Sequence, residues 1–262
     1  MAIDPTDRTS SITDQVLRKL ARQTTGMSGA EIASLVNEAR RTARREKRNI
    51  TMADIDEALL QRKPPKSDDL KFLLAHHEAG HAVAQIHLDV GSINLLTING
   101  ANGAAYVAGS LEDFQDVLTE EALTCLLIIK LAGRAAEEEL CGVTSTAAGG
   151  AYDSDLAQAT RLACDLEMTL GFGAEHPLLY RKVDDPHAVL ALNPTLAEPV
   201  HRRVKRASEH ARILVLWQRR AIEYLADRLL EEETLEGETL EAAIQEVRNC
   251  IADNPVPARG QR

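Results

Sequence analysis

Apolar residues recur every three or four positions through most of the chain, which is the spacing of amphipathic helices. Three such stretches follow one another between residues 10 and 62, and the second opens on Ser28 and Glu31 at the spacing of a helix-capping box. A run of lysine and proline at 63–67 then breaks the pattern and predicts a linker. We therefore predict a small all-helical unit that this linker separates from the rest of the chain.

The part of the chain after the linker is also predicted to be mainly helical. Residues 68–88 contain closely spaced leucine, alanine and valine but no proline, so we expect a largely buried helix there. Further helices are expected at 119–140, at 154–170, from Pro194 and Pro199 to about Leu230, and from Thr239 onwards. Two short strands are expected at 93–98 and 105–108, on either side of an Asn-Gly-rich turn at 99–103. The predicted fold class is mainly α with a small β-sheet.

Composition and charge restrict the classes of function. A chain of 262 residues can form one large domain or two modest ones, and a content of 44% hydrophobic but only 3% aromatic residues is typical of a helical protein. The net charge of −10 argues against a nucleic-acid-binding surface. The one basic stretch, at 40–48, lies on a predicted helix and indicates a solvated face or a subunit contact.

The cysteines and the hydropathy predict a soluble chain in a reducing compartment. Cysteine occurs at 125, 141, 164 and 250 without CxxC spacing, so we expect reduced thiols and neither zinc ligands nor disulfides. No apolar run reaches the ~18 residues that a membrane span requires. Residues 1–9 are expected to be an added or disordered terminus, and residues 253–262 a disordered tail.

The strongest chemical signal lies at 77–81, where His77, Glu78 and His81 form an HExxH sequence. Residues four apart on a helix project from one face, so both imidazoles can reach one zinc ion at about 2.0–2.1 Å. Glu78 lies beside the first imidazole, where it can take a proton from a metal-bound water. The alternative, a chance occurrence, would leave three buried polar groups without partners, at a cost of several kcal/mol. We therefore favour a metal site.

Two neighbours of the motif carry further expectations. Gly80 costs about 1 kcal/mol relative to alanine inside a helix, which indicates that another backbone or a substrate approaches closely at this point. His76 points away from the face that carries His77 and His81, so we expect it to pack or to support a ligand without binding the metal itself.

A third metal ligand is needed, because zinc enzymes usually supply three protein ligands and leave the fourth position for water. Two acidic clusters compete for this role. Glu137, Glu138 and Glu139 end a predicted helix, where a charge run usually forms a solvated face. Asp153 and Asp155 follow a long stretch of small residues that can pass close to another helix, although either aspartate could instead cap a helix. We prefer Asp155 and keep Asp153 as the alternative.

Several segments together resemble the FtsH family of membrane-anchored AAA+ zinc proteases. The matching segments after the linker are residues 75–82 around HExxH, 131–138 (Leu-Ala-Gly-Arg-Ala-Ala-Glu-Glu), 150–163, Gly-Phe-Gly at 171–173, and 231–237. Upstream, residues 24–32 and 35–39 look like the small helical lid of an AAA+ ATPase. The resemblance covers roughly residues 10–250.

The resemblance implies a fold and a domain organisation. The chain would consist of a helical AAA+ lid at 10–63, a linker at 64–69, and a mostly helical zinc peptidase domain with a small β-sheet at 70–252. The sequence contains no GxxxxGK[ST] motif, so we expect this chain to lack the ATPase core. It also lacks the family's membrane segments, and we therefore expect it to be a C-terminal fragment of a longer protein.

The resemblance also implies an activity, namely a zinc-dependent endopeptidase that degrades unfolded or membrane-extracted proteins and is driven by ATP in the full-length protein. The Zn²⁺ ligands would be His77, His81 and Asp155, because Asp155 is at the position of the aspartate that is the third ligand in the family. Glu78 would be the catalytic base. Intact family members are hexamers, so a homo-oligomer is expected. The intact protein would work at the cytoplasmic face of the bacterial inner membrane, and would contact the membrane only through segments absent from this chain. The alternative is a catalytically inactive, peptidase-like scaffold or oligomerisation module, against which the presence of Glu78 argues.

Overall fold

A computed structural model of the chain describes residues 16–17, 20–21, 23–24, 27–62, 66–99, 105–110, 118–146, 148–182 and 185–255. Two helices of the N-terminal unit are described over their full length, α1 (Gly29–Arg45) and α2 (Met52–Arg62). The predicted capping box starts α1, since the Ser28 side chain accepts from the Glu31 amide and the Glu31 carboxylate accepts from the Ser28 amide. The two helices share a small apolar core, formed by Leu35, Ala39, Ala58 and Leu59.

An earlier helix in this unit is only partly described. Residues 16–17, 20–21 and 23 are helical, and the rest of the predicted first helix lies outside the described residues. So do residues 63–65, which include the first two residues of the linker predicted at 64–69. The last two residues of that linker, 68 and 69, are already helical.

A long helix, α3 (Asp68–His87), follows the linker and carries the HExxH sequence, at the bounds that the apolar pattern predicted. Its first turn is capped by Ser67, whose hydroxyl accepts from the Leu70 amide. All residues from Leu74 to Ala84 are buried, because α3 packs on one side against α4 (Glu120–Ala136) and also against α8 (Arg219–Glu232). The motif therefore lies in the interior of the domain.

The remaining helices complete one apolar core around α3 and α4. They are α5 (Asp155–Met168), α6 (Pro186–Leu192), α7 (Pro194–Trp217) and α9 (Gly237–Asp253). α7 packs against α4 and α5, and α9 packs against α8. The predicted fold class, mainly α with a small sheet, is confirmed. Among the described residues, no helix combines the length and the apolarity that crossing a membrane requires.

A three-stranded antiparallel sheet lies beside these helices, with the order β2–β1–β3. Its strands are β1 (Ser92–Thr97), β2 (Tyr106–Ser110) and β3 (Thr234–Glu236). β1 and β2 are the two predicted strands, and a register shift between Ile93 and Leu95 marks a bulge in β1. β3 was not predicted, because three residues are too few to show a period in the sequence. After residue 99, the predicted turn lies outside the described part of the chain.

The long helix predicted from Pro194 to about Leu230 is in fact two helices, and this prediction was wrong. α7 ends at Trp217 and α8 begins at Arg219. The break is at Gln218, a buried polar residue whose side-chain amide donates to the Asn254 carbonyl at 2.9 Å. Asn254 in turn donates to the Trp217 carbonyl. This tertiary contact with the end of α9 fixes a turn that no proline or glycine marks in the sequence.

α9 ends at Asp253, where the predicted tail begins, and residues 1–15 and 256–262 lie outside the described part. None of the four cysteines, all of which lie in the described part of the chain, forms a disulfide; those at 164 and 250 are buried, and those at 125 and 141 are partly exposed.

Candidate metal centre

Two imidazole rings lie together on α3. His77 and His81 are both buried, and their Nε2 atoms are 3.0 Å apart. The rings meet edge to face, with centroids 4.7 Å apart. The helix therefore places two ring nitrogens of the HExxH sequence at one point, as the four-residue spacing predicts.

A carboxylate from a different helix reaches the same point. Asp155 is the first residue of α5, and its Oδ2 lies 3.1 Å from Nε2 of His77 and 3.2 Å from Nε2 of His81. The residue that caps α5 is neither of the aspartates but Ser154, whose hydroxyl accepts from the Ala157 amide. Asp153 contributes only its backbone carbonyl to a hydrogen bond, with Gln158. The structure thus brings Asp155, and not Asp153, to the two histidines.

The hydrogen bonds of the two rings determine which nitrogens carry protons. Nδ1 of His81 lies 2.7 Å from the backbone carbonyl of Ile129, and Nδ1 of His77 lies 2.7 Å from the carboxylate of Glu137. A carbonyl or a carboxylate oxygen can only accept here, so both Nδ1 atoms are the donors. In the neutral rings the two Nε2 atoms then present lone pairs to each other and to Asp155.

The donor set fits zinc. Three electron-rich atoms converge from His77, His81 and Asp155, all within 4.8 Å of one another. They would repel each other unless positive charge lay between them. Tetrahedral zinc ligands at about 2.0–2.1 Å from the metal are separated by about 3.3 Å, close to the separations of 3.0 to 3.2 Å seen here. Two imidazoles with one carboxylate leave a fourth position for water, as in a catalytic zinc site.

The electrostatics favour positive charge at this point. Burial lowers the pKa of His77, but hydrogen bonds to Asp155 and Glu137 outweigh it and raise the pKa to about 10. Burial raises the pKa of Asp155, but hydrogen bonds to His77 and His81 outweigh it and hold the pKa well below its usual range. The carboxylate is therefore ionised at neutral pH and available to a dication.

Glu78 lies beside the converging atoms and is buried as well. Burial raises the pKa of its carboxyl group above the usual value, and the neighbouring His81 and His77 partly oppose the shift. Within the described part of the chain, its carboxylate has no hydrogen-bond partner. A carboxyl group whose pKa is raised, and whose oxygen atoms have no hydrogen-bond partner among the described residues, is suited to accept a proton and return it.

Glu137 has a different place from the one predicted. The acidic run 137–139 was expected to form a solvated face, but Glu137 is 0% exposed. Its carboxylate accepts from Nδ1 of His77, from the Ser145 amide at 2.6 Å and from the Ser145 hydroxyl at 2.9 Å. Burial raises the pKa of Glu137, but these hydrogen bonds outweigh it and lower the pKa. Glu137 therefore fixes the orientation of the His77 ring, as the outer partners of metal ligands commonly do.

A π-helical turn, Glu137–Cys141, brings this carboxylate inward at the end of α4. The turn is closed by Gly142, which adopts a positive φ of 71°. The rest of the acidic run matches the expectation for a surface, since Glu138 pairs with Arg134 and Glu139 with Arg212. The sequence did contain one indication that Glu137 belongs to the site. It lies four residues after Gly133 in the segment 131–138, which resembles a helix with the pattern GGRxAEE in the family.

Two glycines allow α3 and α4 to approach closely behind the site. A Cβ on Gly80 would lie 2.8 Å from the Ala132 carbonyl oxygen of α4, which is the close backbone approach expected at this position. A Cβ on Gly133 would lie 2.4 Å from Nε2 of His81 and 2.8 Å from Nε2 of His77. The role of Gly133 was not foreseen from the sequence. α4 therefore presents a bare backbone to the two imidazoles.

We expect Gly133→Ala to weaken metal binding strongly. By helix propensity alone the substitution would stabilise α4 by about 1 kcal/mol, but its methyl group would occupy the space of the two Nε2 atoms. Zinc content after dialysis, together with the unfolding temperature, measures both effects. The matched control is Gly29→Ala on α1, where a Cβ meets no atom within 4 Å. Full zinc retention by Gly133→Ala would show that the rings have room to move.

His76 lies apart from the metal centre. Its Nδ1 is 2.9 Å from the Phe72 carbonyl, and its ring packs against the Phe72 ring with centroids 4.1 Å apart. It is buried in the same helix, but the three converging side chains do not include it.

The metal centre opens into a cleft of about 760 Å³. Glu78 and the three converging side chains lie on its floor, and α4 and the start of α5 form one side. The other side is β2, through Tyr106, Val107 and Gly109. β2 is one of the two outer strands of the sheet among the described residues, so the edge that faces away from β1 can pair with an extended peptide.

Comparison with known proteins shows several similarities. The family description "Peptidase family M41" matches residues 65–243, and "AAA+ lid domain" matches residues 14–57. The chain is 33% identical, over 93% of its length, to the ATP-dependent zinc metalloprotease FtsH of Syntrophobacter fumaroxidans, of which it covers 41%. It is 33% identical, over 92% of its length, to the protein of the same description from Chloroflexus aggregans, of which it covers 40%. It is also 30% identical, over 94% of its length, to the ATP-dependent zinc metalloprotease FTSH 2, chloroplastic, of Oryza sativa, of which it covers 39%. The chain thus spans about two fifths of the length of these relatives.

Proposed function

The chain belongs to peptidase family M41, and from this premise we propose that it is a zinc-dependent endopeptidase that cleaves unfolded polypeptide. The observation that carries the proposal is the convergence of Nε2 of His77, Nε2 of His81 and a carboxylate oxygen of Asp155 on one point at the floor of a cleft. These three side chains would hold the zinc ion. Glu78, buried next to them, would be the catalytic base.

The chemistry follows from where these groups lie. A zinc ion held by His77, His81 and Asp155 would supply Lewis acidity, which would lower the pKa of a water toward ~7 and polarise the scissile carbonyl. Glu78 takes the proton of the attacking water and passes it to the leaving amine. The raised pKa of Glu78 suits both transfers, because a carboxylate of lower pKa would be a weaker base toward the water. Glu137 and the Ile129 carbonyl keep the two rings oriented through their Nδ1 atoms.

The shape of the cleft supports an extended substrate. A peptide that pairs with the free edge of β2 would add a fourth strand and run past the metal centre. A folded domain cannot offer an extended segment to this edge without opening. We therefore propose unfolded or membrane-extracted proteins as the substrates.

We propose further that this activity belongs to a larger, ATP-driven assembly. The curated relatives are described as ATP-dependent, and the match to an AAA+ lid at 14–57 supports such a role for the N-terminal unit. The proposed division of the chain is a lid at 10–63, a linker at 64–69 and the peptidase domain at 70–252. The intact protein would be a homohexamer at the cytoplasmic face of the bacterial inner membrane, as the family resemblance implies.

Zinc removal tests the proposed activity. The zinc-loaded chain should cleave casein or an unstructured peptide, lose this activity after chelation and regain it when zinc is returned. A stably folded protein of similar size should resist cleavage and serves as the substrate control. If the chain binds one zinc ion but cleaves nothing, the alternative hypothesis, that the chain is a catalytically inactive scaffold, is correct.

A further inference from the structure

A single lysine lies in the wall of the cleft beside the metal centre. Lys130 is on α4, directly after Ile129, and it is half-buried and lines the cleft together with the metal-binding side chains. Its ammonium group donates to the side-chain oxygen of Gln158 at 2.6 Å. Gln158 is held in turn by its own amide, which donates to the Asp153 carbonyl at 2.6 Å. The lysine is therefore fixed at one place in the wall by a neutral partner.

This ammonium group has no carboxylate partner within the described part of the chain. The nearby carboxylate of Asp155 is directed at the two histidine nitrogens, and a zinc ion there would take up its charge. Asp153 is exposed and forms no ion pair with the lysine. Burial lowers the pKa of Lys130, which shows that the charged form loses hydration in the wall. Among the described residues Asp155 attracts this cation electrostatically but forms no ion pair with it. A half-buried cation that forms no ion pair is a favourable place for a ligand's carboxylate.

The lysine is close enough to the metal centre to contact a substrate near its scissile bond. Gln158 follows Asp155 by three residues on α5, so the two side chains are neighbours on one face, about 5–6 Å apart at Cβ. An extended peptide advances about 3.3 Å per residue. The ammonium group bound to Gln158 therefore lies within reach of a side chain one or two residues from the bond over the metal.

The surroundings of the lysine increase the strength of such a contact. Apolar side chains form much of the wall around it, among them Leu74, Leu126 and Ile129. Charge-assisted hydrogen bonds are stronger where apolar walls exclude water. A neutral glutamine in the substrate could accept only an uncharged hydrogen bond, and a basic side chain would be repelled.

We propose that Lys130 makes this cleft selective for substrates with an aspartate or glutamate within one or two residues of the scissile bond. This inference rests on the proposed peptidase function, but the contact itself is a binding property of the cleft and can be measured without turnover.

The test uses unstructured, fluorescently labelled peptides that differ only in one residue, which is Glu, Gln or Lys at each position around the cleaved bond. Two quantities are measured: kcat/KM for the zinc-loaded chain, and Kd by fluorescence anisotropy for the zinc-loaded Glu78→Gln variant, in which cleavage should be slow enough for binding to reach equilibrium. We expect the best Glu peptide to be preferred over its Gln counterpart by about ten-fold or more in both. Lys130→Met should reduce this ratio to about one, and Lys130→Glu should shift the preference to the Lys peptide.

The matched control is Lys205→Met, which removes the same charge from an exposed position on α7. It should keep the full preference for Glu. Should Lys130→Met fold poorly, Lys130→Gln and Lys130→Glu give the same comparison, with circular dichroism as the check. A ratio near one in the wild-type chain, or a ratio that persists in the Lys130 variants, overturns the inference. If no peptide is cleaved, the proposed peptidase function fails, but the Kd ratio in the Glu78→Gln variant still decides the role of Lys130.

Discussion

Replacing Glu78 with glutamine should reduce peptide cleavage by about 10²- to 10⁴-fold, because a positioned acid–base group contributes that much to a proton-transfer step. Zinc content should not change, since Glu78 is not among the three converging side chains. The fold should also remain, because the amide has the same shape as the carboxylate and no described hydrogen bond depends on it. Initial rates on an unstructured peptide, together with zinc analysis, measure this separation between binding and chemistry.

The control for this variant is the same chemical change at a surface position. Glu138→Gln removes an exposed carboxylate that lies in the π-helical turn and pairs with Arg134 of α4. Such a pair contributes at most about 1 kcal/mol to stability, and cleavage should continue at the wild-type rate. If Glu78→Gln retains near wild-type activity, another group must take the proton and the assignment of the base is wrong.

The part of the site that follows from local spacing could be predicted from the sequence. His77, Glu78 and His81 lie within five residues of one uninterrupted helix, so the period of the helix alone brings the two rings to one face. The fold class and the family resemblance could also be predicted, because they depend on patterns that extend over many residues. The structure and the match to peptidase family M41 confirm both.

Features that depend on contacts between distant segments could not be derived in this way. The meeting of Asp155 with the histidines spans more than seventy residues, and the sequence alone favoured Asp155 but kept Asp153 as the alternative. Glu137 looked like part of a solvated acidic run, since its burial depends on a π-helical turn and on Ser145. The break at Gln218 depends on Asn254 in the same manner. In each of these cases the position of the side chain depends on a contact with a residue that lies outside the periodic pattern of its own helix.

The contacts that His77 and His81 make with α4 and with the π-helical turn after it explain how the two rings are oriented. His81 donates to Ile129, and His77, four residues earlier on α3, donates to Glu137, eight residues later in the chain than Ile129. The order of the contacts along α3 is thus the reverse of their order along α4 and the π-helical turn. The two helices are therefore antiparallel at this point. Gly133 lies between the two contact positions and leaves the space that both rings occupy. α4 and the π-helical turn thus orient the two rings and supply no ligand.

The identity of the third ligand gives the last and most discriminating prediction. Residues that hydrogen-bond to metal ligands typically contribute about 10- to 100-fold to metal affinity. If Asp155 binds zinc directly, Asp155→Asn should lower zinc affinity by more than this, because a neutral amide replaces a charged donor. Glu137→Gln should fall within that 10- to 100-fold range, since it acts only through the His77 ring. Asp153→Asn should keep the zinc, because Asp153 is exposed and Ser154 caps α5 in its place. Competition with a zinc-sensitive dye gives the four affinities, wild type included.

The order of these affinities separates the possible ligand sets. Zinc bound by the native chain also raises its unfolding temperature, so the same order should appear in thermal unfolding with and without zinc. If Asp153→Asn loses zinc while Asp155→Asn keeps it, the ligand is the other aspartate and α5 must begin differently when metal is bound. If Glu137→Gln loses the most, Glu137 binds the metal directly and the contact with Nδ1 of His77 is exchanged for it. We expect Asp155→Asn to bind zinc most weakly, Glu137→Gln to be intermediate and Asp153→Asn to be close to wild type. This order would mean that Asp155, at the start of α5, is the charged ligand, and that Glu137, in the π-helical turn, only orients the His77 ring.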